Sequence, residues 1–358
     1  MRRTVVPPYL LVRIARLDDP AFARAARAAS RSLEQDVPFR RVRPGEPSPG
    51  RGTPGPTATA TPTPRNRVAA LQRTISDAQT TESLPGVTVR TEGQPSNGDV
   101  TVDEAYDGLG AMSAFLQQAY GRDSIDDAWL PLDATVHFGD DYDNAFWDGS
   151  RMVFGDGDGQ VFRRFTISPS VIGHELAHGM TEYTANLVYR GQSGALNESI
   201  SDVFGALLEQ FGAGQSAEEA SWLIGEGLFT DEVEGTALRS MIAPGTAYDD
   251  DVLGKDPQPG SMDDYVDTED DNGGVHINSG IPNRAFAVAA IELGGKAWER
   301  AGQVWYDVLT GGVLTATADF AGFARLTVAA AAERYGAGSD VESAVRTGWS
   351  TVGVEVPA

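Results

Sequence analysis

The sequence predicts an α+β fold with a β-rich N-terminal lobe and a mainly α-helical C-terminal lobe. Short alternating runs such as 87–90 and 134–138 favour strands before about residue 170. Beyond about residue 168 the apolar residues follow the three-and-four spacing of helices. Strands that are followed by helices, rather than alternating with them, are typical of α+β proteins with a cleft between two lobes.

Helices are expected at both ends of the chain. Residues 9–33 predict one or two helices, because 21–32 is rich in alanine and arginine, and 102–120 has an amphipathic pattern. The remaining helices are expected over 168–187, 197–212, 279–294, 297–311, 317–334 and 339–349.

The charge of the chain is unevenly distributed. The 358 residues carry a formal net charge of −23, but residues 1–73 contain 14 arginines and only 5 acidic residues. The remainder holds 14 basic and 46 acidic residues. Opposite potentials favour docking of the basic segment onto the acidic body. The alternative, an arm that binds nucleic acid, is disfavoured because the body would repel phosphates.

A segment rich in proline, glycine, threonine and serine over 44–64 separates these two parts and predicts an extended linker that proteases cut. The chain therefore divides into four regions. We expect a basic segment at 1–43, a linker with a cleavage site at 44–70, a β-rich lobe at 71–172 and a helical lobe at 173–358.

Several classes are excluded by composition. No run of about 18 apolar residues is present, so no membrane span is expected. Pro7, Pro8, Arg13 and Arg16 interrupt any apolar leader, which predicts no Sec or Tat signal and leaves a cytoplasmic location or secretion by another route. The chain has no cysteine, so a metal site must use other ligands. We expect a monomer.

The sequence His174-Glu175-Leu176-Ala177-His178 carries the main chemical signal. Residues four apart share one face of a helix, so both imidazoles can bind one zinc ion. Glu175 lies beside that position and can take a proton from zinc-bound water.

A hydrolytic zinc site needs a third protein ligand and an open position. Glu198 is the candidate, at the expected start of a second helix. Asp202 shares its face and can accept the distal N–H of one zinc-binding histidine, and Asn197 can do the same for the other.

The segment 271–280 adds a histidine in a glycine-rich loop. Beside Asp271, His276 can serve as a charged hydrogen-bond donor to an oxyanion. His137, in a strand-like run, is interpreted as structural. The turn Gly155–Gly159 favours a tight loop over a calcium site.

Taken together, 174–178, 197–202 and 273–280 resemble the thermolysin family of zinc endopeptidases, and Asn144–Trp147 with the Gly155–Gly159 turn adds to the match. The resemblance runs from about residue 82 to the end. It implies a thermolysin-like two-lobe metalloprotease in which the zinc helix lies between the lobes.

The resemblance also implies the role of each residue. His174, His178 and Glu198 would hold zinc, and Glu175 would act as general base and then pass its proton to the leaving amine. The other implied residues are the oxyanion donors Tyr189 and His276, the orienting carboxylate Asp271, the substrate-backbone contacts Asn144, Ala145 (through its carbonyl) and Arg239, and the apolar pocket of Val171, Ile224 and Leu238. The implied reaction is cleavage on the amino side of bulky hydrophobic residues in proteins and peptides.

The N-terminal sequence Val6-Pro7-Pro8-Tyr9-Leu10-Leu11 resembles the Pro-Pro motif in the short propeptide of protealysin-like enzymes. The resemblance implies that 1–43 is an inhibitory propeptide, that the chain is a zymogen, and that a cut within 44–70 activates it.

The sequence departs from the family at the positions that match a calcium site. Two positions that match a double calcium site stay acidic, Glu209 and Glu226, but three others are Ser170, Ser221 and Leu223. Because calcium needs six to eight oxygen ligands, the double site is expected to be missing, and one calcium ion is left open.

Two non-enzymatic functions are the alternatives to an endopeptidase. A zinc-binding regulatory protein would dispense with Glu175, Tyr189 or His276, and an adhesin would need no general base beside the metal. All three residues are present, which favours the endopeptidase.

Overall fold

The structure is a computed structural model that describes residues 3–40 and 70–356, so most of the predicted linker lies outside the described residues. The helices are α1 (Pro8–Ala15), α2 (Ala23–Arg40), α3 (Val100–Tyr120), α4 (Pro169–Tyr183), α5 (Gly191–Ala213), α6 (Asp271–Asn278), α7 (Gly280–Leu293), α8 (Ala301–Thr310), α9 (Phe320–Tyr335) and α10 (Asp340–Thr351). The strands are β1 (Arg3–Thr4), β2 (Arg73–Asp77), β3 (Val87–Thr91), β4 (Leu132–Val136), β5 (Ala145–Trp147), β6 (Met152–Phe154), β7 (Leu223–Ile224), β8 (Arg239–Ser240), β9 (Asp249–Asp250) and β10 (Gly254–Lys255).

A six-stranded mixed sheet forms the N-terminal lobe, in the order β1-β5-β6-β4-β2-β3. Strand β4 runs parallel to both β2 and β6, and the remaining neighbours are antiparallel. Five strands come from the predicted β-rich lobe, whereas β1 comes from the basic N-terminal segment. The N-terminal segment therefore extends the sheet of the body at its β5 edge.

Helix α3 closely follows the predicted range 102–120. Its N-terminus is capped by the Asp99 carboxylate, which accepts hydrogen bonds from the N–H groups of Thr101 and Val102. Gly121 ends the helix with a φ of 65°, a left-handed conformation that glycine adopts without strain.

The second predicted catalytic helix begins earlier than the sequence indicated. The pattern predicted 197–212, whereas α5 starts at Gly191, so Glu198 lies two turns inside the helix rather than at its start. The extra turn contains Gly194, a poor helix former, at a point where an added Cβ would lie 2.4 Å from Val275 Cγ1. Packing against α6 therefore overrides local propensity here.

Helices α4 and α5 cross at two glycines. An added Cβ on Gly173 would lie 2.9 Å from the Gly205 Cα, and one on Gly205 would lie 2.4 Å from the Ser170 carbonyl oxygen. Only glycine permits this approach, which brings the faces that carry His174 and Glu198 together.

Among the described residues, none of the helices is long and apolar enough to cross a bilayer.

We expect Gly205→Ala to destabilise the protein by about 1–3 kcal/mol, because the new methyl group would clash with backbone rather than with a side chain that can move. It should also weaken zinc binding, since that methyl group would lie 3.1 Å from the backbone nitrogen of His174 and shift the helix that carries this ligand. Urea unfolding and chelator competition measure the two effects.

Gly212→Ala is the matched control. It lies on the same helix, its added Cβ meets no atom within 4 Å, and it should stabilise by roughly 0.5–1 kcal/mol. Equal effects of the two substitutions would contradict the close-crossing explanation.

Candidate active site

Two helices supply a cluster of three metal ligands. His174 and His178 lie on α4, and Glu198 on α5, and the ligand atoms of all three lie within 4.8 Å of one another. The His174 Nε2 to Glu198 Oε2 distance is 3.5 Å, and the His178 Nε2 to Glu198 Oε1 distance is 3.3 Å. Ligands at 2.0–2.1 Å from a tetrahedral zinc are about 3.3 Å apart.

The same atoms lack other partners. Within the described part of the chain, His174 Nε2, His178 Nε2 and Glu198 Oε2 are buried and have no hydrogen-bond partner. Burying such groups unpaired is costly, so the three side chains fit a zinc ion between them.

The other nitrogen of each histidine is held by a polar side chain. His174 Nδ1 lies 2.7 Å from Asp202 Oδ1. His178 Nδ1 lies 2.8 Å from Asn197 Oδ1 and 2.9 Å from Ser201 Oγ. Burial lowers the pKa of His178 to about 4, which keeps it neutral, the form that binds a metal. The contacts to the two Nδ1 atoms fix the orientation of both imidazole rings.

Asp202 also binds Arg239, far away in sequence. Arg239 Nε and Nη2 donate to its two oxygens at 3.0 and 2.8 Å, and Asn283 Nδ2 donates at 2.8 Å. Both members of the pair are fully buried. Burial alone would raise the pKa of Asp202, but Arg239 and His174 hold it at about 2. Arg239 would be read as a surface residue from its local sequence, and here it lies in the core.

Glu175 is buried on α4, the helix that carries His174 and His178. Its Oε2 accepts a hydrogen bond from the Trp147 backbone N–H at 2.9 Å, and its Oε1 is buried without a hydrogen-bond partner among the described residues. Burial and the charge of Glu198 raise the pKa of Glu175 well above its usual value. Such a shift favours proton uptake at a catalytic carboxylate.

His276 faces the cluster from α6. Its Nδ1 lies 2.6 Å from Asp271 Oδ1, and the backbone N–H of His276 donates to Asp271 Oδ2 at 2.8 Å. Burial would lower the pKa of His276, but Asp271 and Glu198 raise it to about 9. The Tyr189 hydroxyl donates to Glu198 and lies 3.3 Å from His276 Nε2. Two donors thus lie side by side.

The predicted substrate contacts hold the N-terminal strand, residues 3–6, which is β1 extended by Val5 and Val6. Asn144 Oδ1 accepts from the Val6 N–H at 2.9 Å, and the Ala145 carbonyl accepts from the Val5 N–H at 3.2 Å. Arg239 Nη1 donates to the Val5 carbonyl at 2.9 Å. These are contacts that an extended peptide makes when it adds a strand to a sheet edge.

The start of that strand reaches the predicted oxyanion donor and the zinc helix. The Thr4 carbonyl lies 3.0 Å from His276 Nε2, and Arg3 Nη1 donates to the His178 carbonyl at 2.9 Å. The strand therefore runs past the histidines of the metal cluster.

Comparison with known families agrees with a zinc site at His174, His178 and Glu198. Residues 65–182 match the family described as "Thermolysin metallopeptidase, catalytic domain", and residues 185–354 match "Thermolysin metallopeptidase, alpha-helical domain".

The chain belongs to the thermolysin family.

It is therefore a zinc metalloprotease, a hydrolase of peptide bonds, and the two-lobe fold expected from the sequence is confirmed. The regulatory and adhesin alternatives are set aside.

Similar proteins extend this comparison. The chain is 57% identical over 284 residues to "Extracellular metalloprotease" of Pectobacterium carotovorum subsp. carotovorum, covering 79% of this chain and 81% of that protein. It is 53% identical over 288 residues to "Protease PrtS" of Photorhabdus sp. (strain Az29), covering 80% and 77%. The solved structure of the precursor of protealysin from Serratia proteamaculans superposes with a TM-score of 0.86 at 50% identity, covering 99% of this chain and 100% of that one.

The three residues of the predicted apolar pocket are all buried. Val171 lies on α4, and Ile224 on β7. Ile224 pairs with Arg239 across β7 and β8, and Leu238 immediately precedes β8. The two-stranded β7–β8 sheet thus places apolar residues beside the buried arginine.

Glu209 and Glu226 are the possible calcium ligands. Burial raises the pKa of Glu209, and the charge of Glu226 adds to the rise, while hydrogen bonds from Ser170 oppose it. Two carboxylates and a serine are a thin ligand set for calcium. The calcium content stays a prediction.

The fourth histidine joins two carboxylates outside the metal cluster. His137 Nδ1 lies 2.7 Å from Asp156 Oδ2, and its Nε2 lies 3.1 Å from Asp99 Oδ2. The hydrogen bond to Asp156 and the charges of both carboxylates raise the pKa of His137 to about 9, against a smaller burial effect. Asp158, in the same turn, accepts three backbone N–H groups from 160–162, which makes the turn a tight loop.

Sequence reasoning missed several contacts of the site. It gave no role to the Trp147 N–H that holds Glu175, or to Ser201, Asn283 and Thr4. Ser201 lies one position from Asp202 on a helix already assigned, so its spacing offered a signal. The Trp147 N–H, Asn283 and Thr4 come from distant segments, and local spacing offered no signal for them.

We expect Asp202→Asn to lower zinc affinity by roughly 10–100-fold, because His174 would lose its carboxylate partner. It should also destabilise the fold by about 3–5 kcal/mol, because Arg239 would stay buried without a counter-charge. Chelator competition and urea unfolding test both effects.

The control is Asp231→Asn, which removes a fully exposed partner of Arg163. A surface pair of this kind contributes roughly 0–1 kcal/mol, so zinc affinity should not change. A loss of affinity that matches the Asp202 variant would refute the specific role of the buried carboxylate.

We expect His137→Asn to reduce stability in a pH-dependent way. The folded pKa of about 9 lies above the unfolded value of 6.5, so the stabilisation is complete below about 6.5 and is lost as pH rises through about 9. Asparagine tolerates the φ of 52° at this position, so the backbone is not a second cause. Urea unfolding of both proteins from pH 5 to 10 measures the difference, and a constant difference across that range would disprove the ion-pair explanation.

Proposed function

We propose that the chain is the zymogen of a neutral endopeptidase, with an inhibitory propeptide at 1–43 and an activating cut within 44–70. The observation that carries this proposal is the N-terminal strand in the cleft. Asn144, Ala145 and Arg239, the residues expected to bind substrate backbone, all bind the backbone of Val5 and Val6 instead. A substrate cannot occupy the same atoms while this strand is bound.

Helix α2 supports the docking by charge. Arg24 Nη2 lies 2.8 Å from Asp141 Oδ1, and Arg31 lies 3.0 Å from Asp140 and 3.1 Å from Asp141. Both arginines are largely exposed, so each pair adds little stability, but the pairs match the opposite charges of the two regions.

Buried polar contacts make the docking more specific. The Ser32 hydroxyl accepts the Asp143 backbone N–H at 3.0 Å, and the Tyr142 hydroxyl donates to Asp36 at 2.9 Å. Breaking buried hydrogen bonds leaves unpaired groups, so this interface favours one geometry. These contacts therefore favour a single docked position of the proposed propeptide on the body.

The catalytic roles follow from the geometry of the side chains. Bound zinc would act as a Lewis acid that polarises the scissile carbonyl and lowers the pKa of water. Glu175, with one carboxylate oxygen free, would take a proton from the attacking water and give it to the leaving amine. His276 and Tyr189 would donate hydrogen bonds to the oxyanion, and Asp271 would orient His276.

Specificity is proposed from the apolar residues beside Arg239. Val171, Ile224 and Leu238 would accept the side chain that follows the scissile bond, and Arg239 would bind its carbonyl. Bulky hydrophobic side chains are therefore the preferred ones at that position. The Pectobacterium relative and a Serratia marcescens relative are both named extracellular, which favours secretion over a cytoplasmic location.

The test uses the full chain with a recognition site for a specific protease placed within 44–70. After the cut, we expect hydrolysis of a quenched peptide with Leu after the scissile bond to rise by more than about tenfold, because the propeptide can then dissociate. A peptide with Asp at that position should be cleaved far more slowly.

The matched control is Glu175→Gln, which keeps the side-chain shape and should lower kcat by about 10²–10⁴-fold. A chelator should abolish activity in the cut protein. An uncut chain as active as the cut chain would disprove inhibition by 1–43, and a zinc-loaded, cut chain without activity would disprove the proposed peptidase roles.

A further inference from the structure

The bound N-terminal strand presents one particular peptide bond to the catalytic groups. The Thr4 carbonyl lies 3.0 Å from His276 Nε2. That nitrogen lies 3.3 Å from the Tyr189 hydroxyl and 3.5 Å from Glu198 Oε2. The Thr4 carbonyl thus contacts one proposed oxyanion donor, His276, and that donor lies beside the second donor and a metal ligand, as expected for a reacting carbonyl.

The residues after that carbonyl occupy the places of a leaving segment. The Val5 N–H donates to the Ala145 carbonyl at 3.2 Å, and the Val5 carbonyl accepts from Arg239 at 2.9 Å. The Val6 N–H donates to Asn144 Oδ1 at 2.9 Å, and Asn144 Nδ2 donates back to the Val6 carbonyl at 3.4 Å. Each backbone polar group of the two valines therefore has a partner.

The register is fixed from the other side as well. Arg3 pairs with Trp147 and Thr4 with Phe146 in the antiparallel β1–β5 ladder, and Arg3 Nη1 donates to the His178 carbonyl at 2.9 Å. A shift by one residue would turn each side chain to the opposite face of the sheet. The strand therefore presents the Thr4–Val5 bond and not its neighbours.

A proton acceptor is held by the strand that pairs with β1. Glu175 Oε2 is held by the N–H of Trp147, the residue that pairs with Arg3, and Glu175 Oε1 is buried without a hydrogen-bond partner among the described residues. The carboxylate therefore keeps one oxygen free for water beside the strand.

We propose that the zymogen hydrolyses its own Thr4–Val5 bond, within one molecule and before the linker is cut. The bond between the Thr4 carbonyl carbon and the Val5 nitrogen breaks. The oxygen of one water molecule joins the Thr4 carboxylate, and protons of that water pass to the Val5 amine through Glu175. This inference rests on the proposed peptidase function, and the apolar Val5 is the kind of residue that the proposed pocket accepts.

Trimming would weaken the propeptide without releasing it. The chain that starts at Val5 keeps the contacts to Arg239 and Asn144 and keeps helices α1 and α2. It loses the contacts that Arg3 and Thr4 make to the zinc helix and to His276. Activation would therefore have two steps, a trim inside the cleft and then a cut in the linker.

The experiment is an intact-mass time course on the full chain, loaded with zinc and followed at several protein dilutions. We expect the mass to fall by the residues Met1–Thr4, at a rate that does not depend on protein concentration. Glu175→Gln should keep these residues, with a rate at least about 10²-fold lower. Loss of a different number of residues, or a rate proportional to concentration, would overturn the proposal.

Two variants at Val5 separate cleavage from folding. Val5→Ile keeps a β-branched apolar residue and the donor N–H, so it should be trimmed at the same bond. Val5→Pro removes the N–H that binds the Ala145 carbonyl, so it should keep the residues before it. Equal trimming of both variants would contradict the assigned register.

Amide hydrogen exchange tests the register of the strand without requiring hydrolysis. In the Glu175→Gln chain, the Val5 and Val6 amide protons should exchange slowly with solvent, because both are hydrogen-bonded in the cleft. Fast exchange at both would overturn the inference. A preparation that keeps Met1 yet hydrolyses an added peptide after the linker cut would overturn self-trimming alone. A preparation that keeps Met1 and does not hydrolyse the peptide would overturn the peptidase function as well.

Discussion

The buried carboxylate of Asp202 connects the metal site to the peptide-binding site. It binds His174 on one side and Arg239 on the other, and Arg239 reaches the backbone of the bound strand. A buried arginine and a buried aspartate are tolerable only as a hydrogen-bonded pair. The orientation of a metal ligand and the position of a peptide carbonyl therefore depend on the same charge pair.

The close crossing of α4 and α5 makes this pair possible. His174 and Asp202 lie 28 residues apart, on two helices that approach at Gly173 and Gly205. A larger residue at either glycine would push the helices apart and lengthen this hydrogen bond. The catalytic geometry is thus a consequence of helix packing as much as of the ligand residues themselves.

The N-terminal segment is held by the residues that are expected to bind substrate backbone, namely Asn144, Ala145 and Arg239. Its strand extends the sheet along β5, an edge whose backbone groups would otherwise be open to other chains. The same atoms that hold Val5 and Val6 are those expected to hold a substrate. In the proposed zymogen, inhibition would use the same hydrogen bonds as substrate binding, and the arginine pairs of α2 with Asp140 and Asp141 add charge complementarity.

The sequence by itself determined the features that depend on local spacing. His174 and His178 share a helix face because they are four residues apart, and the basic N-terminal segment differs in charge from the body wherever it folds. The tertiary structure alone decided that α5 begins at Gly191, that Arg239 is buried, and that Thr4 faces His276. These contacts join segments up to 272 residues apart, and no local pattern encodes such pairs, because they arise only when packed helices and strands bring distant backbone together.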